Sequence, residues 1–403
     1  MSEWTKVKLK DCCHSISDGD HLPPPKSDSG VPFVPIANID ATNHIDFGNT
    51  MFVPYEYYNN LNDIRKAKFN DILYSVVGSF GKPVLIKENK PFAFQRHIAI
   101  LRPNNGIVDS RFLYYVMLSR DFYMQADTVA IGAAQRTISL TVLRNMEVEL
   151  PSMEIQHRIA NILSRYDSLI ENYQKQIKLL EEAAQRLYKE WFIDLRFPGH
   201  ENTKIVDGLP EGWEKKKVKE VCDTTSGGTP SRSKTEFYTG DILWVKTKEL
   251  NDDFIFDTEE KITEDAIRNS SAKMVPSGSI LMAMYGATIG KLGIATKELS
   301  CNQACCVFLL PEDSTLRLYL YNWLLNSRTL LISMGKGAAQ PNLSQDMIKN
   351  LEVVVPSSCL LAKFDSKVKP LYRIMSYHSS QLRLLTEARD RLLPKLMGGE
   401  ITV

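Results

Sequence analysis

Residues 159–191 read IANILSRYDSLIENYQKQIKLLEEAAQRLYKEW. Apolar or aromatic side chains fall at Ile159, Leu163, Tyr166, Ile170, Tyr173, Ile177, Leu180, Ala184, Leu187 and Trp191. The steps alternate four and three without a break, which is the seam of a coiled coil. Moving on by 205 residues gives Phe364, Val368, Leu371, Met375, His378, Leu382, Leu385, Arg389, Leu392 and Leu396. The register is the same, and only His378 and Arg389 interrupt it. One apolar stripe also suits a helix lying on its own domain. Two stripes in one register favour mutual pairing, and the second helix must then run back antiparallel to the first. At 1.5 Å per residue, helices of about 40 residues span about 60 Å. This arrangement places two globular domains at opposite ends of a rod, related by a pseudo-two-fold axis.

Outward from the helices, the chain is written twice. EWTKVKLKDCC near the start answers to GWEKKKVKEVC from Gly212, pairing Trp4 with Trp213. NDILYSVVGSFGKPVLI (Asn70–Ile86) matches GSILMAMYGATIGKLGI (Gly278–Ile294). FQRHIAILRP parallels NQACCVFLLP, pairing Gln95 with Gln303. GAAQRTIS (Gly132–Ser139) returns as GAAQPNLS (Gly337–Ser344), and MEVELP returns as LEVVVP. The order is kept throughout, which marks a duplication. It divides the chain into a first globular domain over 1–151, a helical spacer over 152–197, a second globular domain over 198–356 and a second spacer over 357–403. Short β-rich runs such as PFVPIANI, DILYSVV and HIAILRP are broken irregularly by Pro, Gly and Asn, with one helix among them per half. That pattern is α+β and disfavours a doubly wound parallel sheet.

Bulk composition excludes little. The 49 basic and 48 acidic residues nearly cancel, so a nucleic-acid surface has to come from local patches. Seven cysteines and a start without an apolar signal segment suggest reduced thiols in a cytoplasm. Cys301, Cys305 and Cys306 lack a second ligand pair at finger-like spacing, which favours buried thiols over a metal site. No run of eighteen apolar residues is present to span a membrane.

Catalytic signatures fail one by one. GATIGKLG (Gly286–Gly293) resembles a phosphate-binding loop, but three residues separate its glycines where four are needed, and Leu292 follows Lys291. Its partner GSFGKP has two intervening residues and a proline after Lys82. Each loop reads as a glycine hairpin, although small residues beside a lysine also suit close approach to a phosphate backbone. No G-x-S-x-G elbow or H-E-x-x-H helix occurs. Asp18, Asp20 and His21 cluster in the first half only, which is poor support for a metal.

Hydrogen-bonding reach is what the loops offer. Arg and Lys suit guanine, and Asn and Gln suit adenine, because each can bond twice to a base edge. Such residues recur at matched places: Gln95 and Arg96 against Gln303, Gln135 and Arg136 against Gln340 and Asn342, Lys82 against Lys291. Ser79 and Thr288 lie within the glycine loops, and Lys26, Arg232, Lys246 and Lys248 flank them. A solvated surface side chain is the plain alternative for each.

The motifs GSFGKP/GATIGKLG and GAAQRTIS/GAAQPNLS, with ELPSMEIQHRIANIL, LYKEWFIDLRFPG before GLPEGW, and RLLPKLMGGEI, together resemble the specificity subunit of type I restriction–modification enzymes. The resemblance covers the whole chain. It implies two target recognition domains reading the halves of a bipartite, asymmetric site in double-stranded DNA. It also implies helices that space them and dock two modification subunits, with restriction subunits as further partners. No catalysis is expected in such a chain. S-adenosylmethionine, ATP and Mg belong on the partner subunits, in a prokaryotic cytoplasm. Two departures, Leu361 where the first helix has Gln156 and Arg389 where it has Ala184, point to unequal docking at the two ends. A stand-alone DNA-modifying enzyme is the rival, but it needs a cofactor loop or a metal–carboxylate cluster. A two-headed protein-binding adaptor is the other, to be separated by salt-dependent DNA binding.

Overall fold

The computed structural model describes every residue except 1–3, 22, 41, 49, 79, 133–135, 312, 336–341 and 402. It comprises two compact units, the first of residues 1–170 with 385–403 and the second of residues 171–384. That division cuts both long helices, so each unit owns an α+β globular part and a share of each helix.

In the first unit, Thr5–Lys8 pairs antiparallel with Glu147–Leu150 just ahead of the first long helix. An antiparallel sheet follows the order Cys13–Asp18, Ile98–Pro103, Ile72–Ser75, Pro83–Leu85. A smaller sheet sets Val31–Val34 between antiparallel Met51–Val53 and parallel Ala93–Phe94. Ile72, Leu73 and Tyr74 are fully buried in succession, which is why this strand reads as an apolar run without alternation. The helix Ser110–Leu118, capped by the Asp109 carboxylate on the Arg111 and Phe112 amides, closes the core with Phe112 and Leu113.

The second unit repeats this plan. Glu214–Lys217 pairs with Glu352–Val355. The larger sheet runs Asp223–Ser226, Cys305–Leu309, Ile280–Ala283, Leu292–Ala295, and adds Asp253–Ile255 as a parallel edge strand. The smaller sheet sets Ile242–Val245 between antiparallel Lys261–Ile262 and parallel Ser300–Cys301. Apart from the added edge and a short hairpin pairing Ile205–Val206 with Leu209–Pro210, every pairing keeps its neighbour and direction. Cys301, Cys305 and Cys306 are buried free thiols within these strands.

The first long helix is Met153–Tyr188, extended by a π-helical turn over Lys189–Ile193. The second, Ser358–Met397, runs through Pro370 on an exposed face, where a missing N–H is least costly. In the first unit Ile159 and Leu163 share a core with Leu396, and Tyr166, Leu385 and Leu392 are half-buried. In the second unit Tyr173 meets His378 with ring centroids 4.7 Å apart, and Trp191 meets Phe364 at 6.0 Å. Numbers rise along one helix as they fall along the other, so the pairing is antiparallel. Val368 and Met375 are buried; Ile177, Leu180, Leu187, Leu371 and Leu382 are half-buried, as a two-helix seam leaves them. Ile170 is buried at the seam as well.

The residues that break the seam have partners. Arg389 Nη1 lies 3.0 Å from Asp167 Oδ1, and Asp167 also accepts from the Tyr115 hydroxyl at 2.6 Å. Gln156 is buried, accepting from the Asp109 amide at 2.9 Å and donating to the Pro151 carbonyl at 2.9 Å. Both residues that sequence links to partner docking therefore serve internal packing. Gln156 bolts the helix start to its own domain, and Arg389 neutralises a carboxylate.

Candidate nucleic-acid interface

The duplicated motifs, far apart in sequence, come together in each unit. In the first, the strand Ile72–Ser75 leads into the GSFGKP turn, and the octet segment crosses it through a bridge of Val77 with Thr137. Gly78 N donates to Arg136 O at 2.9 Å, and Ile138 N to Val76 O at 2.9 Å. In the second unit Tyr285 bridges Asn342, and Leu343 N donates to Met284 O at 2.9 Å. Gly78 and Gly81, like Gly286 and Gly290, take positive φ, the conformation these turns require. Ser79, Gln135 and Gln340 lie outside the described residues.

The lysines of the two turns point to internal partners. Lys82 Nζ donates to the Ile39 and Asp40 carbonyls at 3.3 and 3.4 Å. Lys291 pairs with Asp252 at 2.8 Å, where Arg328 also converges. Arg136 binds the Asp127 carboxylate at 2.5 Å and lies over the Phe80 ring, so its guanidinium clamps the loop. Thr288 donates to the Tyr285 carbonyl at 3.2 Å.

A charged ladder flanks the second site. Arg232 stacks over Tyr238, 4.3 Å from the ring centroid, and pairs with Glu260 at 2.8 Å. Lys246 reaches Glu259 at 2.9 Å and Glu260 at 3.3 Å, and Lys248 reaches Glu259 at 2.6 Å. Hydrogen bonds from Lys248 and Lys246, together with their charges, pull the Glu259 carboxyl down to about 2. In the first unit Lys26 is exposed, while the acidic loop is internally satisfied: Asp20 takes the Tyr57 hydroxyl and lies 3.6 Å from Arg65, and Asp18 takes His21 at 2.8 Å.

The strand registers correct one pairing. Tyr74 faces Ala99 as Met282 faces Cys306. Gln95 is therefore the counterpart of Asn302, and Arg96 the counterpart of Gln303. A one-residue slip exchanges the two faces of a strand. It is invisible in FQRHIAILRP against NQACCVFLLP, because both segments are apolar on both faces. Thr229, whose hydroxyl donates to Gln303 Oε1, carries no repeated motif and emerges only from the geometry.

Chemically, each site offers amide, guanidinium and hydroxyl groups on loops held by a buried sheet. Among the described residues, no group of three His, Cys, Asp or Glu side chains is placed to hold a metal. No helix is long and apolar enough to cross a membrane. The chain matches the family model described as type I restriction modification DNA specificity domain over residues 1–182 and again over 210–359. It is 29% identical to the type I restriction enzyme MjaIX specificity subunit of Methanocaldococcus jannaschii, over 75% of this chain and 71% of that one. It is 24% identical to the HindI specificity subunit of Haemophilus influenzae over the whole of both chains. The solved type I restriction–modification S subunit from M. genitalium shares the fold with a TM-score of 0.65, at 18% identity over 98% of this chain and 96% of that one.

Proposed function

Because this chain belongs to the type I restriction–modification DNA specificity family and is a specificity subunit, we propose that each of its units reads one half of a bipartite, asymmetric DNA site. The observation that carries this reading is one fold used twice with different side chains at equivalent exposed turns. Two copies of one scaffold can approach the two halves of a duplex alike and still recognise different bases. The half-buried middle of the paired helices supports a second role, as a spacer whose length sets the number of unread base pairs between half-sites. The helices also offer docking surface for two modification subunits, to which restriction subunits can be added. Methyl transfer, with its S-adenosylmethionine, and ATP- and Mg-dependent steps then reside on those partners in a prokaryotic cytoplasm, and this chain contributes binding alone.

The test is methylome sequencing of a host carrying the chain with its modification partner. Inserting a four-residue stutter within Ile159–Trp191, which the seam absorbs by local unwinding, is expected to change the gap and leave both half-sites intact. An unchanged gap refutes the spacer role. For DNA binding itself, affinity for random duplex is expected to fall steeply with salt, since phosphate contacts release counterions; a flat response favours a protein-binding adaptor.

A further inference from the structure

One turn stands at the same place in both units. In the first it joins Ala93–Phe94 to Ile98–Pro103, and in the second it joins Ser300–Cys301 to Cys305–Leu309. Hydrogen bonds fix the equivalence residue by residue. Ile98 N donates to Gln95 O at 3.0 Å, and Cys305 N to Asn302 O at 3.2 Å. Val76 N donates to His97 O at 2.9 Å, and Met284 N to Ala304 O at 2.9 Å. The preceding loop docks alike, with Asp20 N on Phe94 O at 3.1 Å and Gly228 N on Cys301 O at 2.9 Å. The tip of the turn is Arg96 in the first unit and Gln303 in the second, and both are exposed. Phe94, Ile98, Cys301 and Cys305 on either side are buried, so each tip projects from a rigid base.

The two tips differ in chemistry and in how they are held. Among the described residues no ion pair or hydrogen bond occupies the Arg96 guanidinium, while its backbone N–H is anchored on Asp20 O at 3.1 Å. The planar fork is left to bond twice to guanine O6 and N7. Gln303 is oriented by Thr229, whose hydroxyl donates to Oε1. An amide oxygen has two lone pairs, so one remains for adenine N6–H while the amide NH₂ is directed at N7. The first unit has His21 at the place of Thr229, and its Nε2 is tied to Asp18 at 2.8 Å.

We propose that Arg96 and Gln303 are equivalent specificity-determining residues, Arg96 selecting guanine and Gln303 adenine at the corresponding position of the two half-sites, with Thr229 as the positioning residue for Gln303. The inference rests on the proposal that each unit reads one half of a bipartite DNA site.

The experiment is selection from a duplex library randomised in both half-sites, using the full chain with its modification subunit. Gln303→Arg is expected to convert one preferred A·T pair to G·C in one half-site and leave the other half-site unchanged; Arg96→Gln is expected to do the reverse in the other. Thr229→Val should relax preference about tenfold at the Gln303 position only, and Thr229→Ser should restore it. Retained binding with no change in preference overturns the proposal, as do changes spread over both half-sites. Should Gln303→Arg fail to fold by circular dichroism, Gln303→Ala decides: lost preference at one position supports the assignment, and retained preference overturns it. A wild-type chain that selects no bipartite motif refutes the half-site reading itself, which is a separate outcome.

Discussion

Tyr115, Asp167 and Arg389 in the first unit stand where the second unit has Tyr321, Tyr372 and Ala184. In the first, the Tyr115 hydroxyl and the Arg389 guanidinium converge on one carboxylate. In the second, the Tyr321 and Tyr372 rings meet edge-on at 5.6 Å and 87°, and Ala184 is fully buried in the same core. One helix junction is thus closed once by charge and once by shape. The aromatic version gains from buried area and desolvates no formal charge, although the buried Tyr372 hydroxyl has no hydrogen-bond partner among the described residues. The ionic version returns little net stability, because two charges leave water. Its gain is discrimination: Asp167 accepts Arg389 in one register, whereas an apolar seam tolerates sliding.

The largest loss is expected on the apolar side. Phe364→Ala removes a fully buried ring packed 4.9 Å from Phe192 and 6.0 Å from Trp191. A loss of about 4 kcal/mol is expected from urea unfolding. Asp167→Ala should cost about 2 kcal/mol, since it removes the acceptor of the Tyr115 hydroxyl and leaves Arg389 paired with Asp390 alone. Transplanting the other solution, Asp167→Tyr with Arg389→Ala, should return stability to within about 1 kcal/mol of the parent. If the double variant is no better than Asp167→Ala, the two junctions are not interchangeable and the comparison fails.

Sequence reveals the helices because the four–three spacing at Ile159–Trp191 survives wherever the seam must stay apolar. It reveals the duplication for a similar reason: glycines at positive φ, such as Gly81 and Gly290, are hard to replace. What it hides is pairing. Nothing in the spacing of Arg389 announces Asp167 as its partner, because that ion pair forms between residues 222 apart. Lys291 reads as a phosphate ligand until Asp252, brought in by a separate loop, is seen to hold it. The sheet order is likewise silent in sequence, because the strands Ile72–Ser75 and Ile280–Ala283 are buried on both faces and so lose the alternation that would show their register.

Smaller effects sharpen the same contrast. Gln156→Leu installs the second unit's residue, Leu361, at the first unit's helix start. It should cost about 2 kcal/mol, because the Asp109 amide and Pro151 carbonyl lose buried partners. Leu361→Gln should not repay that loss in the second unit, where Tyr319 instead bonds the Val354 carbonyl. The last test falls where equivalent residues face each other, Tyr173 against His378. His378 Nδ1 is buried and has no hydrogen-bond partner among the described residues. His378→Phe keeps the ring contact with Tyr173 and removes the unsatisfied nitrogen, so a gain of up to about 1 kcal/mol is expected in urea unfolding. A loss instead would mean that the imidazole holds this part of the seam through a polar contact, making the apolar stripe and its one interruption equal contributors to the register.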